Sequence, residues 1–198
     1  MKKLIKVAVL VSGGGTNLQA IIDFASEGKL ESGKIVKVIS SKSDVYALKR
    51  AADAEIETAV VERKGKTQQE FEGGILSELD SCGAEVIVLA GFMCILSKDF
   101  TDRYKDRIIN VHPSLIPSFC GEGFYGLKVH EAALSYGVKV TGATVHFVNE
   151  IPDGGKIIMQ KAVEIKEGDT PEILQKRVME EAEWKILPMA VEKVASEL

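Results

Sequence analysis

Short apolar runs rich in β-branched residues alternate along this chain with amphipathic segments, and that alternation predicts βαβ units built into a parallel sheet. The runs fall at residues 4–11, 35–40, 57–61, 85–90 and 107–111, the third being the weakest. Helical patterns occupy the gaps near 16–27, 45–53, 68–81 and 97–104, and another lies near 127–136 before Gly137. Residues 139–149 and 156–164 then read as two longer strands. The six residues between them are too few for a crossover helix, so this pair is expected to be antiparallel. Pro171, with Asp169 or Thr170 as its cap, opens one last amphipathic helix towards the C-terminus. The fold class is therefore α/β: a doubly wound, mostly parallel, Rossmann-like sheet with an antiparallel C-terminal strand pair. No repeat, linker or low-complexity segment interrupts it, so residues 1–198 are expected to form a single domain.

Composition narrows the function more than the fold. Of 198 residues, 45% are apolar and 27% charged, and no apolar run reaches the length of a membrane span. The basic, apolar start resembles a leader, but Lys6 interrupts it and a Gly-rich turn follows without a cleavage pattern, so a first strand and a cytoplasmic protein are expected. A net charge of −4 with no basic stripe argues against nucleic acid as a partner. Cys82, Cys94 and Cys120 are widely spaced and form no CxxC, so free thiols are expected, with neither disulfides nor a metal site.

Candidate chemistry gathers at three places. The strand ending in Ile108 and Ile109 continues as Asn110-Val111-His112-Pro113-Ser114-Leu115-Ile116-Pro117, where polar groups emerge at the end of a buried strand. Asn110 and His112, two apart, share a face, and the prolines stop onward pairing. An oxyanion donor beside an acid or base is one reading; a plain turn is the other. Ser12-Gly13-Gly14-Gly15-Thr16-Asn17 joins the first strand to the first helix and fits either a phosphate cradle or a tight structural turn. It is no P-loop, and Leu18 stands where a dinucleotide fingerprint needs its third glycine. Asp153 before two glycines fits a hairpin, but beside His112 its charge would raise the ring's pKa. His146, between Val145 and Phe147, reads as structural; His130, in a helix, as solvent-facing or capping; Cys94, in an apolar run, as an inert thiol. The Gly-rich, aromatic stretch 118–126 reads as a functional loop or a surface excursion.

Taken together, Ser12 to Ala20, Leu89-Ala90-Gly91-Phe92-Met93, Asn110 to Pro117 and Gly142 to Gly155 resemble the phosphoribosylglycinamide formyltransferase family of purine synthesis over nearly the whole chain. The resemblance implies formyl transfer from 10-formyltetrahydrofolate to the amine of phosphoribosylglycinamide, without a metal. It puts catalysis on Asn110, His112 and Asp153, and the substrate's phosphate and ribose on Gly13, Gly15, Thr16, Asn17 and Glu183. It puts folate on Met93, Cys94, Ile95, Leu96, Asn110, Asn149, Glu150, Ile151, Pro152 and Asp153. The implied partners are these small molecules, not nucleic acid or membrane, and the implied state is a monomer or homodimer. Cys94 and Gln68 stand where some relatives carry arginines on the folate side, and Ser118 where some carry lysine. A formyltetrahydrofolate hydrolase and a non-catalytic nucleotide-binding module remain as alternatives.

Overall fold

The computed structural model describes residues 3–198. Strands β1 (Ile5–Val11), β2 (Gly33–Ser40), β3 (Thr58–Val60), β4 (Val86–Leu89), β5 (Ile108–His112), β6 (Val140–Phe147) and β7 (Ile157–Glu164) form one sheet in the order β3-β2-β1-β4-β5-β6-β7. The helices are α1 (Thr16–Ser26), α2 (Tyr46–Asp53), α3 (Gln68–Cys82), α4 (Lys98–Arg103), α5 (Leu127–Tyr136), α6 (Pro171–Val178) and α7 (Trp184–Ser196). Strands β1 to β5 pair in parallel, while β6 runs antiparallel to β5 as well as to β7, which adds one antiparallel pairing to the one expected.

The pleat divides the core into two layers. Val7, Val9 and Val11 of β1 face α1, α2, α6 and α7, and Ala8 and Leu10 face α3 and α4. Burial on both faces removes any polar alternation, which is why β1 and β4 read as continuous apolar runs. Thr170, rather than Asp169, caps α6 by accepting the N–H of Ile173, and Asp169 is held by Arg177 instead. The last helix is not continuous as expected: a π turn over Met179–Glu183 separates α6 from α7. Pro188, inside α7, lacks the N–H that would close a helical bond to Trp184, so the regular ladder is already broken just past that turn.

From β1 the chain moves outward to β2 and β3, and from β4 it moves the other way. The crevice of this reversal opens at the carboxyl ends of β1 and β4, where doubly wound sheets bind ligands. Ser12 bridges it: its Oγ meets Ser41 Oγ at 2.7 Å and accepts the Met93 N–H at 3.0 Å.

Candidate active site

Strand register brings the β5 end of the crevice together. Asn110 lies opposite His146, and His112 opposite Thr144, so the polar pair of β5 faces a second histidine across the antiparallel ladder. Asn110 Nδ2 is 3.2 Å from His146 Nε2, and His146 Nδ1 is 2.8 Å from the carbonyl of Phe147, to which it donates. Asp153, in a left-handed conformation with φ of 56°, sits between the two rings. Its Oδ2 is 3.3 Å from His112 Nδ1 and its Oδ1 is 3.5 Å from His146 Nε2. The loop after β5 completes the cluster: His112 Nε2 donates to the Phe119 carbonyl at 2.8 Å, and the Gly121 N–H donates to Asp153 Oδ2 at 2.9 Å.

These contacts fix what each group can do. Both nitrogens of His112 face oxygens, an arrangement that rewards the doubly protonated ring. Burial is the larger influence, however, and it holds the His112 pKa below the ordinary value against the charge of Asp153 and the Phe119 carbonyl. The expected upward shift is thus reversed because the ring is almost fully enclosed, with 4% of its surface exposed. Burial also opposes the Asp153 carboxylate, but hydrogen bonds from His146 and the Gly121 N–H, and the charges of the two histidines, hold its pKa low. A neutral His146 accepts from Asn110 and leaves that amide's second hydrogen for a ligand; a charged one donates to Asp153. The sequence alone reads His146, between Val145 and Phe147, as structural. Its partners place it in the cluster, and the pairing of β5 with β6 is the signal that finds it.

Beside the cluster lies a cleft of about 140 Å³ lined by Leu89, Phe92, Leu96, Val148, Cys94 and Ile95, and by the turn Asn149, Glu150, Ile151, Pro152 and Asp153. All the residues expected on the folate side line it except Met93, which borders a neighbouring cavity with Ser12 and Cys94. Ile95 and Ile151 are 72% and 58% exposed, so apolar side chains stand bare at its rim. Burial pushes the Cys94 thiol up, in keeping with an inert group. Gln68 adjoins the same wall by donating to the Ile95 carbonyl at 2.9 Å.

The β1 end of the crevice is made of backbone. Gly15 caps α1 with φ of 73°, and no side chain caps the helix, so the amides of its first turn have no side-chain partner at the cap. A Cβ on Gly15 would lie 2.7 Å from that of Ala47, so only glycine fits there. Asn17 Nδ2 donates to Glu183 Oε2 at 2.8 Å, which joins the loop to the π turn. Burial raises the pKa of Glu183 against that bond. A π turn is a frequent way to present a functional side chain, and no pattern in the sequence announces it.

His130 corrects another expectation. It is neither solvent-facing nor capping: α5 buries it completely, both ring nitrogens lack hydrogen-bond partners, and burial, helped by His112, lowers its pKa to about 4. Among the described residues no His, Cys, Asp and Glu side chains gather as a metal would need, and no helix is long and apolar enough to cross a membrane.

A switch-point crevice with an uncapped helix N-terminus at one side and a buried Asn–His–Asp cluster at the other fits a group-transfer enzyme of the doubly wound α/β class. Residues 5–191 match the family described as formyl transferase, and the chain belongs to that family. It is 43% identical over 187 residues to phosphoribosylglycinamide formyltransferase of Haemophilus influenzae, a match that covers 94% of this chain and 85% of that one. It is 46% identical to the human trifunctional purine biosynthetic protein adenosine-3, over 98% of this chain but only 19% of that protein, so it spans about a fifth of that relative's length. The crystal structure of glycinamide ribonucleotide transformylase 1 from Symbiobacterium toebii superposes with a TM-score of 0.91 at 38% identity, covering 98% of this chain and 89% of that one.

Proposed function

We propose that the chain is one formyltransferase domain that transfers the formyl group of 10-formyltetrahydrofolate to the amine of 5′-phosphoribosylglycinamide in de novo purine synthesis. The Asn110–His146–Asp153–His112 cluster, set at the edge of an apolar-walled cleft, is the observation that supports it most. The bare side chains of Ile95 and Ile151 and the polar turn 149–153 suit a flat heteroaromatic ring bearing polar edges, so the residues present fit a folate.

Bound folate supplies an electrophilic formyl carbon. Asn110 directs its amide at the formyl oxygen as that oxygen gains charge on attack by the amine, and one such donor contributes on the order of 3 kcal/mol. His112, in its charged form, lends a proton to the oxyanion and recovers it on collapse. As the amine gives up a proton, the bond from the formyl carbon to N10 of the folate breaks, N10 takes up that proton and tetrahydrofolate leaves. The Nε2 of His112 now donates to the Phe119 carbonyl, and a substrate oxygen that takes the carbonyl's place receives the proton. Asp153 orients the ring through Nδ1 and favours its charged form against burial. The amides around Gly13, Gly15, Thr16 and Asn17 receive the phosphate, and Glu183, steadied by Asn17, meets the ribose. Met93 closes the crevice between the two substrates from its bond to Ser12. The small molecules are the partners in this scheme. The acidic net charge disfavours nucleic acid and anionic membrane as partners, and a cytoplasmic monomer or homodimer goes with the family reading.

Formyl transfer followed spectroscopically tests it. The parent turns over both substrates, while His112→Ala and Asp153→Asn each lose about 10³-fold or more in kcat, within the range of a removed general acid. Folate consumed without amine would identify a hydrolase instead, and a folded parent inert towards both substrates would overturn the proposal.

A further inference from the structure

The anion-directed loop is gripped from behind by α2. The Ala47 N–H donates to the Gly13 carbonyl at 3.2 Å, and Arg50 Nε donates to the Gly14 carbonyl at 2.8 Å. In a trans peptide the N–H points opposite to the C=O of the same unit, so turning these two carbonyls towards α2 turns the amides of Gly14 and Gly15 away from it. That leaves two donors, beside the uncapped first turn of α1, for an anion on the far side of the loop. Arg50 is itself fixed at three points. Beyond the Gly14 carbonyl, its Nη1 donates to Gln19 Oε1 at 2.9 Å, and its guanidinium lies 4.8 Å from the centroid of the Tyr46 ring.

We propose that Arg50 is the positioning residue for the substrate's phosphate: it locks the Gly14 peptide so that the loop's amides face the anion, and it sets a fixed positive charge directly behind them. This rests on the reading that the loop receives the phosphate of phosphoribosylglycinamide. A guanidinium suits the task because its rigid fork serves two acceptors at once while keeping its charge, which the single ammonium of lysine does not reproduce. Arg50 touches no reacting atom. Its effect therefore falls on binding of the phosphorylated substrate and weakens as salt screens the charge.

Steady-state kinetics of the parent, Arg50→Met and Arg50→Lys, with phosphoribosylglycinamide and with its dephosphorylated riboside, provide the test. In Arg50→Met, KM for the phosphorylated substrate rises about tenfold or more, equivalent to 1.4 kcal/mol. KM for the riboside and for 10-formyltetrahydrofolate, and kcat, change far less, and Arg50→Lys falls between parent and Met. An unchanged KM, or an equal rise with the riboside, overturns the role. If Arg50→Met does not fold, Arg50→Lys carries the same comparison. Inorganic phosphate provides an independent arm: it raises the unfolding temperature of the parent, and more weakly that of the variants. A parent that never turns over, yet shows this Arg50-dependent phosphate stabilisation, refutes the proposed reaction and leaves the role of Arg50 standing. A parent that turns over with variants unaltered in both arms does the reverse.

Discussion

At the β1 end of the crevice the groups that face a ligand are main-chain amides braced by α2, whereas at the β5 end they are side chains of Asn110, His112, His146 and Asp153, tied to one another and to the loop after His112. The first end carries no titrating group among its amide donors and depends on shape, most tightly at Gly15, where an added Cβ would meet Ala47. The second tolerates nothing that alters its protonation or its hydrogen-bond order, and it sits where burial and charge pull in opposite directions. Under the proposed function, substrate binding and chemistry fall to different materials, and substitutions at the two ends are expected to have different signatures.

Gly15→Val is the largest test of the contrast. A β-branched residue at φ of 73° costs about 1–2 kcal/mol for the left-handed backbone. Overpacking against Ala47, with a Cβ only 2.7 Å from its partner, adds about 1–3 kcal/mol more. Thermal unfolding is expected to reveal a loss of that combined size. KM for phosphoribosylglycinamide rises on the order of 100-fold as the amides turn out of place, a loss typical of misplaced binding groups. A fall in kcat with KM intact would mean that the two ends are not separate.

Much of this division was legible in the sequence, for reasons that also explain the gaps. Strands β1, β4 and β5 are buried on both faces, and so could only appear as apolar runs. Asn110 and His112 stood out as polar residues at the end of such a run. Asp153 did not, because an Asp before two glycines suits any hairpin; only the resemblance separated the two readings. His146 was hidden by Val145 and Phe147, since its role depends on its register with Asn110, 36 residues away. The direction of the His112 shift was missed for a related cause: a charge partner can be guessed from a motif, but the enclosure that outweighs it belongs to the assembled fold. The π turn that carries Glu183 has no mark of its own in the sequence, since Pro188 lies beyond it, inside α7.

His146→Leu sharpens the comparison from the other end. The leucine keeps the strand filled but removes the ring that Asn110 and Asp153 share, so the Asn110 amide loses the partner that orients it. Loss of orientation without loss of the donor costs on the order of 10- to 100-fold. The drop is expected in kcat, with KM for phosphoribosylglycinamide little changed. A variant at full activity would show that Asn110 needs no such support.

The last effect concerns stability alone. His130 is fully buried with two unpartnered nitrogens and a pKa of about 4 in the folded state, against an ordinary value near 6.5 when the chain is unfolded. Because the folded value is depressed, the unfolded state binds the extra proton first. The neutral ring's contribution is fully present above pH ~6.5 and is lost as pH falls towards 4. At pH 4.5 that loss is about 2–3 kcal/mol by linkage. His130→Leu removes the titration and breaks no hydrogen bond, so urea unfolding at pH 7.5 and pH 4.5 should show the variant losing less on acidification than the parent by about that amount. Asp153 and the other paired carboxylates still titrate in both proteins, so acid weakens both, and only the difference belongs to His130. Equal losses would mean that the ring finds a partner or water in the folded state, and that the depth of burial around His112 has been misjudged along with it.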